Sequence, residues 1–125
     1  MEAEPGKKKI LLIDDDVFFQ NVITDILSGK YNVLTSKSGN EALLLLVKFK
    51  PDLILLDILM PEMNGWETYQ KIRGISLLSE VPIAFLTSVN EAEWLEQAKK
   101  LGASEYFTKP VVSGDFLKRI EKILK

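Results

Sequence analysis

Histidine and cysteine are both missing from this chain of 125 residues. Without imidazole there is no serine–histidine or cysteine–histidine catalytic pair, no histidine-ligated zinc and no phosphohistidine of the chain's own. Without thiols there is neither a disulfide framework nor a thiolate metal centre. Any metal must therefore rest on oxygen ligands, which points to Mg²⁺, Mn²⁺ or Ca²⁺. Any imidazole chemistry must come from a partner. Long apolar runs are lacking as well. The longest, residues 42–47, has six residues, against the roughly 20 that span a bilayer. The opening Met-Glu-Ala-Glu-Pro-Gly leads into no apolar h-region, so no signal peptide is expected and the expected location is cytoplasmic. An excess of basic charge is missing too. With 16 basic and 18 acidic residues the net charge is −2, which gives no general electrostatic reason to bind nucleic acid or an anionic membrane.

What is present is an ordinary globular composition, 46% hydrophobic and 27% charged, at a length that fits a single core. We expect a flexible segment over 1–7 and one domain over 8–125. Residues 8–13 form a short apolar run that stops at Asp14-Asp15-Asp16. Phe18, Phe19, Val22, Ile23, Ile26 and Leu27 follow at helical spacing, with Gly29 as a stop. The pattern then predicts strands over 31–35, 53–57, 82–87 and 105–108. Helices are predicted over 40–49, 65–73, 91–101 and 115–124, with Pro51, Gly74 and Gly102 closing three of these in turn. Five strands alternating with five helices imply an α/β fold: one parallel sheet covered on both faces, with right-handed crossovers. Ligands of such a sheet bind at the C-terminal ends of its strands.

The strand ends are where the chemistry collects. The first ends in Asp14 and Asp15, the third in Asp57, the fourth in Thr87 and Ser88, the fifth in Lys109. A parallel sheet brings all of these to one edge. Three converging carboxylates repel one another unless a divalent cation and a lysine hold them together. A hydroxyl and an ammonium beside them can bind a further anion. That is a phosphoryl site with a carboxylate nucleophile. Asp57 is the best acceptor, because it ends the most apolar strand and precedes a Pro-containing loop. Taken singly, each residue has a plainer reading: Asp16 as a helix N-cap, Thr87 as a strand end, Lys109 as a solvated charge. The matching set at four strand ends is the signal.

The segments "ILLIDDD", "PDLILLDILMPEMNG", "FLTS" and "GASEYFTKP", in this order and spacing, resemble the receiver domain of bacterial two-component response regulators. The resemblance covers residues 9–124. It implies a flavodoxin-like sheet in the order 2-1-3-4-5. It also implies that Asp57 accepts a phosphoryl group from a phosphohistidine on a sensor kinase or phosphotransfer protein. Mg²⁺, with Mn²⁺ as a substitute, would be bound by Asp15, Asp57 and the Leu59 carbonyl, with Asp14 acting through water. Lys109 and the Thr87–Ser88 pair would bind the phosphoryl oxygens, and Thr87 and Tyr106 would form the switch. The Lys109-Pro110 bond would be cis. The chain would be a signalling phosphoacceptor rather than an enzyme with turnover. An output protein or a fused output domain would read helix four, strand five and helix five around Trp94, Tyr106 and Lys118. Homodimerisation on activation would be possible.

Two features depart from the common pattern. Leu44 and Val47 lie on a flank of the second helix that usually carries charge in this family, either as part of a wide buried stripe, as scattered surface apolars or as a partner patch. Leu59 and Val89, two residues beyond Asp57 and Thr87, are apolar and cannot orient an attacking water, so a long-lived phosphorylated state is expected. Two rival functions are weaker. A flavodoxin-like electron carrier needs a Ser/Thr/Gly-rich phosphate loop where this chain has three aspartates. A small Asp-dependent phosphatase would use Asp14 and Asp16, leaving Asp57, Thr87 and Lys109 unexplained.

Overall fold

A computed structural model describes residues 6–125. The expected flexible segment falls for its first five residues outside the described ones. Eleven elements follow: β1 (Lys9–Ile13), α1 (Val17–Leu27), β2 (Asn32–Ser36), α2 (Gly39–Leu46), β3 (Leu53–Leu56), α3 (Gly65–Arg73), a 3₁₀ turn (Ser76–Leu78), β4 (Ile83–Thr87), α4 (Ala92–Leu101), β5 (Glu105–Thr108) and α5 (Ser113–Ile123). The strands form one sheet in the order β2-β1-β3-β4-β5, every neighbouring pair parallel.

Period-two alternation sorts each central strand between two cores. Ile10, Leu12, Leu53, Leu55, Ala84 and Leu86 face α1 and α5, where Phe19, Ile23, Leu27, Phe116 and Ile120 meet them. Leu11, Ile13, Ile54, Leu56, Ile83 and Phe85 face the other way, toward Ala42, Leu46, Tyr69, Ile72 and Ala98 of α2, α3 and α4. The near-continuous apolar sequence of β1, β3 and β4 follows from this burial on both faces.

Local signals account for most helix ends. Asp16 caps α1 by accepting from the Phe19 N–H, and Asn64 and Glu67 form a reciprocal capping box at α3. Gly102 ends α4 in the left-handed conformation. The helix expected over 40–49 stops at Leu46, and Phe49 beyond it packs on the second core. Leu44 and Val47 are left 72% and 79% exposed. They are surface residues outside the buried stripe.

Candidate functional site

Register carries the expected site side chains to one edge. The Asp14 N–H donates to the Ser36 carbonyl (3.0 Å), the Asp57 N–H to Ile13 (2.9 Å) and the Lys109 N–H to Thr87 (2.9 Å). The sheet ladder therefore extends one residue past β1, β3 and β5, and the first residue beyond each is one of the expected site residues. Gly65 lets the start of α3 press against this edge, since a Cβ there would run into the Asp57 carbonyl oxygen and Ile58 Cα.

Asp14, Asp15 and Asp57 each present a carboxylate oxygen within 4.8 Å of the others. Asp14 and Asp57 are buried, whereas Asp15 is exposed to solvent. Lys109 Nζ lies 2.7 Å from Asp14 Oδ2 and 3.2 Å from Asp57 Oδ2. The contact with Asp57 is an aligned hydrogen bond. The contact with Asp14 is a close charge pair without that alignment, since Asp14 Oδ2 has no hydrogen-bond partner among the described residues. The other carboxylate oxygens are tied locally: Asp14 Oδ1 accepts from the Asp16 N–H (2.9 Å) and Asp57 Oδ1 from the Leu59 N–H (3.3 Å).

Burial pushes the Asp14 carboxyl up to about 6, and the nearby charge of Asp57 adds to this against the opposing pull of Lys109. Burial also works against the charge on Lys109, but its contacts with Asp14 and Asp57 outweigh that and hold the ammonium above the ordinary lysine value. Three carboxylates balanced by one ammonium leave the cluster short of positive charge.

Thr87 closes β4, fully buried, and its hydroxyl has no hydrogen-bond partner among the described residues. Ser88 beside it is exposed. Tyr106 on β5 is only half-buried and donates to the Val89 carbonyl at 2.5 Å. Burial first, then the charges of Asp57 and Glu91, raise its phenol above the ordinary value. Its ring begins an aromatic chain through Phe85 (6.4 Å) and Trp66 (4.9 Å further) to Trp94 (5.8 Å further). The Lys109-Pro110 bond is cis.

The structure thus brings Asp14, Asp15, Asp57 and Lys109 into direct contact or ligand distance. It sets Thr87 and Ser88 on the adjoining strand end and Tyr106 beyond them. Leu59 meets Asp57 through its N–H and is 51% exposed. Sequence reasoning missed Gln20. Gln20 is buried and its Nε2 donates to the Asp14 carbonyl (2.6 Å) and the Ser36 carbonyl (3.0 Å), clamping β1 to β2 just below the acids. A polar residue on the apolar side of an amphipathic helix was the available signal. The all-oxygen donor set and its deficit of positive charge fit a hard divalent cation.

The family described as the response regulator receiver domain matches residues 10–121. The chain is 33% identical over 123 residues to a probable transcriptional regulator, ycf27, of Pyropia yezoensis, covering 98% of this chain and 49% of that protein. It is 34% identical over 123 residues to histidine kinase P4 of Formosa agariphila, again covering 98% of this chain but 9% of the kinase. Among solved structures, chemotaxis protein CheY4 of Vibrio cholerae superposes with a TM-score of 0.89 at 30% identity, covering 95% of this chain and 100% of that one. The non-phosphorylated HemR receiver domain of Leptospira biflexa gives 0.85 at 31% identity, covering 95% of each chain. This chain spans half or less of the length of these two curated relatives.

Proposed function

Because this chain belongs to the response-regulator receiver family, we propose that it works in the cytoplasm as a switch charged by phosphoryl transfer from a partner's phosphohistidine onto Asp57. The observation that carries this is the cluster of Asp14, Asp15 and Asp57 within 4.8 Å, answered among the described residues by Lys109.

An Asp57 oxygen forms the new P–O bond while the P–N bond to the partner's imidazole breaks. The electron pair returns to the ring, which leaves with a proton. Asp14, Asp15, Asp57 and the Leu59 carbonyl would hold Mg²⁺, or Mn²⁺ in its place. When bound, that ion supplies positive charge for the transferring group. Lys109 exchanges its carboxylate contacts for the phosphoryl oxygens. The Thr87 hydroxyl, buried without a partner among the described residues, gains an acceptor, with Ser88 at the rim. Movement of Thr87 frees room for Tyr106, which exchanges its bond to Val89 for an inward position.

The readout is the surface of α4, β5 and α5, including Trp94 and Lys118. There Leu95, Ala98, Lys99, Tyr106 and Arg119 line a cleft of about 450 Å³. A partner protein, or an output domain in the same polypeptide, occupies it.

Incubation with Mg²⁺ and a small acyl phosphate is the direct test. The wild-type chain gains one phosphoryl mass and Asp57→Asn gains none; no gain in the wild type, or an undiminished gain in the variant, overturns the proposal. With apolar Leu59 and Val89 flanking the approach, the phosphorylated form lasts minutes, followed as phosphate release in Mg²⁺. Loss within seconds contradicts this part of the reading.

A further inference from the structure

α1 presents two adjacent phenylalanines in opposite ways. Phe18 is 76% exposed, whereas Phe19 is 8% exposed and fixed by the Asp16 cap on its own N–H. The Phe19 ring packs in the first core, and Lys109 Nζ lies 4.4 Å from its centroid. That is inside the roughly 6 Å within which an ammonium feels the negative face of a ring. The Lys109 side chain is only 15% exposed, so little water competes for it. The ammonium thus meets two carboxylates and one aromatic face.

These contacts respond differently to a cation. Three carboxylates that share a divalent ion lose most of their pull on a neighbouring ammonium. The ring carries no charge to be neutralised, so its attraction persists. We infer that Phe19 is a positioning residue for Lys109, its ring holding the ammonium beside Asp57 when the carboxylates are engaged by metal, so that it meets the incoming phosphoryl oxygens. The inference rests on the reading of Asp57 as acceptor. It concerns orientation of the lysine, and Phe19 touches no reacting atom.

The test uses beryllofluoride as a phosphoryl mimic at fixed Mg²⁺, with half-saturation followed by ¹⁹F NMR. Phe19→Leu, which fills similar space without a ring face, raises the half-saturating concentration roughly tenfold. Phe19→Tyr keeps the face and stays within about twofold of wild type. Mg²⁺ affinity without beryllofluoride is unchanged in both. A purely space-filling role would lower the melting temperature of Phe19→Leu and leave its beryllofluoride affinity where it was, which overturns the inference. A measurement on the wild type needs no variant: the Lys109 Hε protons are shifted upfield by the ring in the presence of Mg²⁺. Unshifted Hε protons overturn it equally. A wild type that takes no beryllofluoride removes the Asp57 reading and this inference with it. A wild type and a Phe19→Leu variant that bind it equally remove this inference alone.

Discussion

The two edges of the sheet carry the same kinds of charge to opposite ends. At the N-terminal edge, Lys30 and Glu121 pair at 2.5 Å with side chains 61% and 47% exposed, and Asp52 accepts from the Lys9 N–H at 2.7 Å. Water solvates these groups and salt screens them, so each is complete and contributes little. At the C-terminal edge, Asp14 is fully buried and the Lys109 side chain is 15% exposed, and three carboxylates gather beside its ammonium. Water cannot supply the missing charge there. The difference lies in burial and stoichiometry more than in distance, and it makes one edge a solvated rim and the other a cluster with charge left to answer.

The largest effect that separates the edges is the pH dependence of metal binding. On the proposed reading, a cation at this site would have to displace the proton from Asp14, whose carboxyl burial pushes up to about 6. Mg²⁺ affinity should therefore fall about tenfold for each pH unit below 6, measured by calorimetry. A flat profile between pH 4 and 6 would show that Asp14 is no part of the metal site.

A smaller effect is on stability without metal. The folded value of Asp14 is raised from 3.8 to about 6, so the native chain holds this proton more tightly than the unfolded one. Stability from this group is greatest below about pH 4 and is lost as the pH rises through 6. Asp14→Asn should then stabilise the metal-free protein at pH 7 by about 1–2 kcal/mol, a gain that shrinks as the pH falls to 4. Urea melts at the two pH values check both sign and size.

The smallest expected effect belongs to the other edge. Glu121→Gln removes the partner of Lys30 and should leave the melting temperature unchanged within error at physiological salt. A clear loss would mean that the two edges differ less than their burial implies.

The sheet was legible in the sequence because apolar β1, β3 and β4 announce burial on both faces, and because Asp14, Asp57 and Thr87 stop those runs abruptly. The strand order came with the family resemblance, since alternation alone leaves several orders open. The cap at Asp16 and the turn at Gly102 were readable because they are local. What stayed hidden depends on contacts far apart in sequence. The 3₁₀ turn Ser76–Leu78 is bracketed by Arg73, whose guanidinium donates to the Leu78 and Val81 carbonyls. Gln20 reads as an interruption of an apolar stripe until β2 supplies the Ser36 carbonyl. Phe19 reads as core until β5 brings Lys109 against it.

The aromatic chain through Phe85 also gives the molecule an optical property. Its two tryptophans, Trp66 and Trp94, stand with ring centroids 5.8 Å apart and planes 62° apart, one on α3 and the other on α4. At that spacing their electronic transitions couple, and the coupling depends on the mutual angle of the two rings. Any reorientation of α4 against α3 is therefore written directly into the near-ultraviolet circular dichroism, with no added label.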